Sequence, residues 1–187
     1  MKKAYKNILV LLIVIIAAYL NTSGVAAKTA AMPTSTITPI PTPAPKFSSY
    51  EVFWPITAGR VTGDSLYGLK LFKEKLRGMV ILNKNKKAEY MVKLSEKRLV
   101  EAEKLYIEKK DNTNAKKSMD QSIENLKEAI KIAKSKPAGI SPETKAYILN
   151  SAGKQKQLLD NLASRVPESQ DSAKAHAASL ESITQGL

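Results

Sequence analysis

Between residues 64 and 166 apolar side chains recur at three- and four-residue steps in four successive runs, each closed by a polar or Pro/Gly-containing break. That period describes helices with one buried face. The first run, capped by Asp64 or Ser65 and ending near Leu82, aligns Leu66, Leu69, Phe72, Leu76, Met79 and Val80 on a stripe expected to face a core. Asn83-Lys84-Asn85 breaks the pattern. A second run from about Lys86 to Lys110 carries Ala88, Met91, Val92, Ser95, Leu99, Ala102 and Tyr106, with Glu89, Lys93, Lys97 and Glu101 on the opposite face as i,i+4 neighbours.

Asp111-Asn112-Thr113-Asn114 supplies a turn and cap, and a third run to about Lys134 places Ala115, Met119, Ser122, Ile123, Leu126, Ile130 and Ala133 on one stripe. So short a connection predicts an antiparallel hairpin of the second and third helices. Lys136-Pro137-Ala138-Gly139 ends it. Ser141-Pro142-Glu143 is a start signal, with a capping hydroxyl, Pro at the first helical position and an acid where the helix dipole favours it. The fourth helix runs to about Val166 through Ala146, Leu149, Ala152, Leu159, Leu162 and Ala163, and its polar middle, Gly153 to Gln157, predicts a bend or protrusion. Pro167 restarts a weaker helix with Ala173, Ala177, Leu180 and Ile183 on its face. With no alternating strand pattern, the expectation is an all-α bundle of four to five helices over residues 50–187, built on a long central hairpin.

Ahead of the bundle, Tyr50 to Pro55 concentrates aromatics, and Pro55, Gly59 and Gly63 predict an extended lead-in with Trp54 as a core anchor. The first 27 residues differ in kind. Lys2, Lys3 and Lys6 precede an apolar run from Ile8 to Leu20, followed by small residues, the pattern of an export signal or an N-terminal membrane anchor. The run itself is short for a span, and Val25 and Ala27 suit cleavage before Lys28. Extended to Ala27 it is long enough to cross a bilayer. Residues 28–49, with Pro33, Pro39, Pro41, Pro43 and Pro45 among Thr and Ala, read as a disordered linker inclined to polyproline II.

Composition narrows the chemistry. The chain has no Cys and one His, which removes disulfides and the usual soft metal sites and nucleophile–base pairs, so neither cofactor nor metal is expected. The net charge is +13, and its excess lies in the first two helices, where Lys84, Lys86, Lys87, Lys93 and Lys97 form a candidate basic patch. Outside a cell such a face meets anionic lipid or wall polymer. No aromatic residues alternate with the lysines as stacking platforms, so specific nucleic-acid recognition is not expected.

Gly63-Asp64-Ser65-Leu66 has the letters of the GDSL esterase nucleophile block, but Ser65 there needs a strand-to-helix turn and a nearby Asp and His. Asp171 and His176 are five apart and no sheet is visible. The carboxylates Glu74, Glu89 and Glu96 read as helix-surface charges rather than a glycosidase pair.

Gly63-Asp64-Ser65-Leu66-Tyr67-Gly68-Leu69-Lys70 with Glu74, then Lys87-Ala88-Glu89-Tyr90 and Leu94 to Ala102, resemble a bacterial domain of unknown function, family 5667, over about Pro55 to Leu105. The family often has Pro where Thr62, Ser65 and Gly68 stand here. The resemblance implies a small helical module of exported or membrane-anchored proteins, with no activity attached, and it makes the apparent esterase block a helix start. Lys70 and Glu74 are then expected to pair on the first helix and to meet Glu96 and Arg98 of the second in a polar clasp.

These features point to a non-enzymatic, exported helical interaction module of the cell envelope, tethered or secreted. Its partner would be an envelope protein or an anionic polymer or lipid, and the membrane itself if the first helix is uncleaved. A sensory or regulatory ectodomain working through a membrane partner is the alternative, and an esterase using Ser65 the remote one.

Overall fold

The computed structural model describes residues 47–135 and 139–187, so the expected signal or anchor segment and nearly all of the linker lie outside the described residues. Six α-helices form there: α1 (Ser49–Val52), α2 (Tyr67–Val80), α3 (Lys84–Lys104), α4 (Asn112–Lys134), α5 (Pro142–Arg165) and α6 (Gln170–Thr184). No strand occurs among the described residues, and the fold is an all-α bundle.

The caps explain the boundaries. Asn83 accepts from the Lys86 amide at 3.1 Å to open α3. A π-helical turn, Leu105–Lys109, closes that helix, Lys110 takes the left-handed conformation (φ 54), and Asp111 then caps α4 by accepting from Asn114 N at 3.0 Å. This tight reversal makes α3 and α4 the long central hairpin that the pattern predicts. Ser141 caps α5 with Pro142 in its first turn, again as predicted.

The core lies where α3, α4, α5 and α6 meet, around Leu105, Tyr106, Met119, Leu126, Ile148, Leu159 and Leu180. Two features of α5 differ from expectation. Ala146 and Leu149 are exposed, because Thr144, Ile148 and Ser151 carry the buried face through the first turns. The polar middle does not stand clear of the bundle: α5 is one unbroken helix and Gln155 is enclosed, its Oε1 accepting from Ser95 Oγ at 2.9 Å. Ser122 Oγ donates to the Ser95 carbonyl at 2.9 Å, Gln155 Nε2 donates to Ser151 Oγ at 3.1 Å, and Ser151 donates to Glu96 at 2.7 Å. A buried amide is tolerable when its neighbours complete its hydrogen bonds, and here hydroxyls from three helices do so.

The lead-in is tied down by charge as well as by burial. Glu103 accepts from Ser49 N at 2.8 Å and from Arg165 Nη1 at 3.1 Å, and the same guanidinium reaches the Phe47 carbonyl at 3.1 Å. Phe53, not Trp54, is the buried anchor. Trp54 is 66% exposed and meets Tyr50 edge-on at 4.7 Å between centroids, because adjacent side chains point to different sides and Phe53 has taken the inward one.

Candidate interaction surface

The largest departure from the sequence pattern is α2. Leu66, Leu69, Phe72, Leu76, Met79 and Val80 were expected to face the core, and every one of them is exposed, Phe72 to 62%. The helix is docked by its other side, through Tyr67, Glu74 and Gly78. Gly78 lies against α3: a Cβ there would stand 3.4 Å from Met91 Cε and the Tyr90 ring, an ordinary contact distance.

The physical reason lies on α3. Arg98 and Glu101 are both buried, Glu101 completely, and a buried charge left without partners costs several kcal/mol. Turning the polar side of α2 inward supplies them. Glu74 pairs with Arg98 and, at 2.8 Å, with Lys97; Lys70 pairs with Glu101, which also takes Arg98 Nη1 at 2.7 Å. The Tyr67 hydroxyl is shared between Glu101 Oε2 at 3.0 Å and Gln121 Oε1 at 3.1 Å. Lys70 Nζ further donates to the carbonyls of Ala58, at 3.1 Å, and Arg60, so the lead-in joins the same node.

The polar clasp between the first two long helices therefore exists, with altered membership. Lys70, Glu74 and Arg98 belong to it, but Lys70 and Glu74 bond across to α3 instead of to each other. Glu96 does not belong: it faces α5 and accepts from Ser151. Glu101, placed on the solvent face by its i,i+4 spacing from Lys97, is the centre. Tyr67 and Lys97 complete the group. The missed signal was a second stripe on α3, Tyr90, Leu94, Arg98 and Glu101, which runs beside the core stripe at helical spacing.

Protonation follows the same geometry. Burial pushes Glu74 up, yet Lys97 and Arg98 outweigh it and its pKa lies below the ordinary carboxylate value. Burial lowers Lys70 despite Glu101 beside it. Burial is opposed and outweighed by Glu101 and Glu74 at Arg98, whose pKa rises, while burial lifts Tyr67 to about 12. Burial pushes Glu96 up, outweighing the lowering influence of the Ser151 hydrogen bond and of Lys154 and Lys93.

The proposed helix cap is also corrected. α2 starts at Tyr67 with Leu66 before it in the left-handed conformation (φ 65), and no side chain caps it. Asp64 instead accepts from Val61 N at 2.8 Å and pairs with Lys109, and the Ser65 carbonyl accepts from Arg60 at 2.9 Å. The helix start is thus set by a turn folded back on itself. His176 is buried on α6, its Nδ1 2.6 Å from the Ser172 carbonyl and its Nε2 3.0 Å from Asp120, so Asp171 and Ser65 are not its partners. Among the described residues, no group of three or more His, Cys, Asp or Glu could hold a metal ion.

Of the basic patch, Lys97 is committed to Glu74. Lys84 and Lys86 are exposed at the start of α3, with Lys87 half-buried one turn along. Lys93 lines a cleft of about 850 Å³ between the lead-in, α2, α3 and α5, together with Trp54, Lys73, Arg77, Tyr147 and Lys154. The Arg77 guanidinium lies 5.4 Å over the Tyr90 ring. Cations thus border the outward apolar face of α2 along the cleft.

A family model described as "Domain of unknown function (DUF5667)" matches residues 59–183. The chain belongs to this family. The DUF5667 match extends well past Leu105, the end of the resembling segment, and takes in the clasp, the central hairpin, α5 and nearly all of α6. No curated protein and no solved structure matches the chain. No helix among the described residues is long and apolar enough to cross a membrane.

Proposed function

We propose that this chain is a non-enzymatic helical module, exported to the bacterial cell envelope and either tethered or secreted, that acts by binding another envelope component. The observation that carries the reading is the outward face of α2: five large apolar residues of one helix, with Leu66 before it, stand in solvent while an ion-pair clasp holds the opposite face. Apolar patches of this kind on a folded domain mark contact surfaces. Supporting the location are the Lys-led apolar run at residues 8–20 and the Pro-rich stretch after it. The carboxylates Glu74 and Glu101 are occupied by structural ion pairs, which accounts for them without a reaction.

The test is a photo-crosslinking residue placed at Phe72 in the full chain in cells, combined with fractionation and mass spectrometry of the mature N-terminus. A specific adduct in the envelope fraction is expected. A cytoplasmic product still beginning at Met1, without adduct, overturns the reading.

A further inference from the structure

We propose that the outward face of α2 docks on an anionic phospholipid surface, with its apolar side chains below the headgroups and its flanking cations on the phosphates; this rests on the binding-module reading above. On a helical projection Leu69, Phe72, Leu76, Met79 and Val80 occupy a sector about 100° wide. Lys73 and Arg77 lie along one edge of it and Lys75 along the other, opposite the side that packs on α3. An apolar sector with basic margins is the pattern of a helix lying in the membrane interface.

Charge complementarity chooses the occupant. The single acid of α2, Glu74, points inward and is already paired to Arg98 and Lys97. The outward half of the helix therefore carries cations and no carboxylate. A second copy meeting this face across a two-fold axis would set Lys73, Lys75 and Arg77 of both copies around one apolar seam, a repulsive arrangement. A layer of phosphate groups beside hydrocarbon satisfies both parts at once.

Two further exposed apolar residues lie beside α2. Leu82, just beyond the helix, is 90% exposed, and Trp54 shares the cleft with Lys73 and Arg77. Trp favours the headgroup level, where its ring is half apolar and its N–H finds water. The clasp gives the arrangement rigidity. Because Lys70 and Glu74 hold α2 from behind, the helix needs no folding step on contact, and its apolar side chains are presented in advance.

The chain lacks cysteine, so Phe72→Cys in the full-length protein gives a single site for an environment-sensitive fluorophore, with Lys174→Cys, exposed on α6, as the control. The probes are vesicles of phosphatidylcholine with and without phosphatidylglycerol, doped with nitroxide-labelled lipid. The label is local, so insertion of the N-terminal apolar run alone leaves it unquenched. Expected are a blue shift and quenching at position 72 but not at 174, about ten-fold weaker without phosphatidylglycerol and weakened by salt. Leu69→Asp with Leu76→Asp abolishes them while leaving the helical circular dichroism unchanged, since both side chains stand in solvent.

A label at 72 that stays in water on anionic vesicles overturns the proposal. So does burial of that label without lipid as protein concentration rises, the sign of a second copy. A crosslink from position 72 to a protein in cells sinks the lipid assignment and keeps the binding-module reading. A cytoplasmic product with no adduct sinks both.

Discussion

Arg98 on α3 crosses to Glu74 on α2 while its other amino group donates to Glu101 at 2.7 Å, so one guanidinium joins the two helices. Amphipathic helices ordinarily dock by their apolar side, with the hydrophobic effect as the main driving force. Here the buried charges of α3 demand partners, and α2 meets that demand with its polar side.

The pair should therefore show coupling. Glu74→Ala and Arg98→Ala are each expected to destabilise the domain, with an interaction energy of about 1–3 kcal/mol in a double-mutant cycle read by denaturant unfolding. Purely additive losses would mean that α2 is held by something other than the clasp. Removing Arg98 is expected to cost more than removing Glu74, because Glu101 loses a partner as well.

Truncating the outward face gives the complementary result. Phe72→Ala is expected to change stability by less than about 0.5 kcal/mol, the range for surface positions, since its ring is mostly in solvent. A buried Phe would lose about 3–5 kcal/mol on the same change. Thermal unfolding of this one variant separates the two orientations of α2.

Acidity should act on two carboxylates in opposite directions. Glu74 has a folded pKa below its unfolded value, so in acid the unfolded chain binds more protons and the stability it contributes is lost as pH falls through the folded pKa. Glu96 is raised by burial, so its contribution is present below the unfolded value and lost as pH rises through the folded one. Glu96→Gln keeps an acceptor for Ser151 and removes the buried charge. It is expected to gain about 1 kcal/mol at pH 7 and to leave the acid-side loss from Glu74 intact; a destabilised variant at pH 7 would show that the charge is needed. Urea midpoints across a pH series check both.

Much of this fold was legible because it is local. The caps at Asp111 and Ser141 and the stripe Ala88, Val92, Ser95, Leu99 and Ala102 follow from side-chain chemistry and a 3.6-residue period, and the hairpin follows from the short turn between them. Which side of α2 faces in was not legible in the same way. Its apolar stripe is real, but periodicity reports only that two faces differ; the choice between them is made by the burial of Arg98 and Glu101, about 30 residues away in the chain, and of these only Arg98 is expected in the clasp, while the spacing of Glu101 from Lys97 reads as a solvent face. The error at Glu96 has the same root. Glu96 and Arg98 are two apart, so a helix sends them to different sides, and only the position of Ser151 on α5 decides that Glu96 goes there. Gln155 shows the converse case: a polar stretch signals solvent unless hydroxyls from other helices happen to meet it.

The turn that launches α2 offers a final pair of opposed changes. Leu66 sits at φ 65, where a side chain with a Cβ is strained by about 1–2 kcal/mol. Glycine adopts that conformation freely, so Leu66→Gly is expected to stabilise the folded domain by about 0.5–1 kcal/mol after the greater chain entropy of glycine is counted. Gly63, three residues earlier, has φ +93, and a Cβ there would stand 2.8 Å from Asn114 Nδ2, the amide that itself donates to Asp111 at 2.7 Å. Gly63→Ala combines backbone strain with displacement of Asn114 from the cap of α4, and a loss of about 1–3 kcal/mol is expected. The two variants differ by opposite steric changes within one turn, so denaturation midpoints moving in opposite directions are the expected result. A loss of stability in Leu66→Gly would show that the Leu66 side chain makes a contact worth more than the strain it carries.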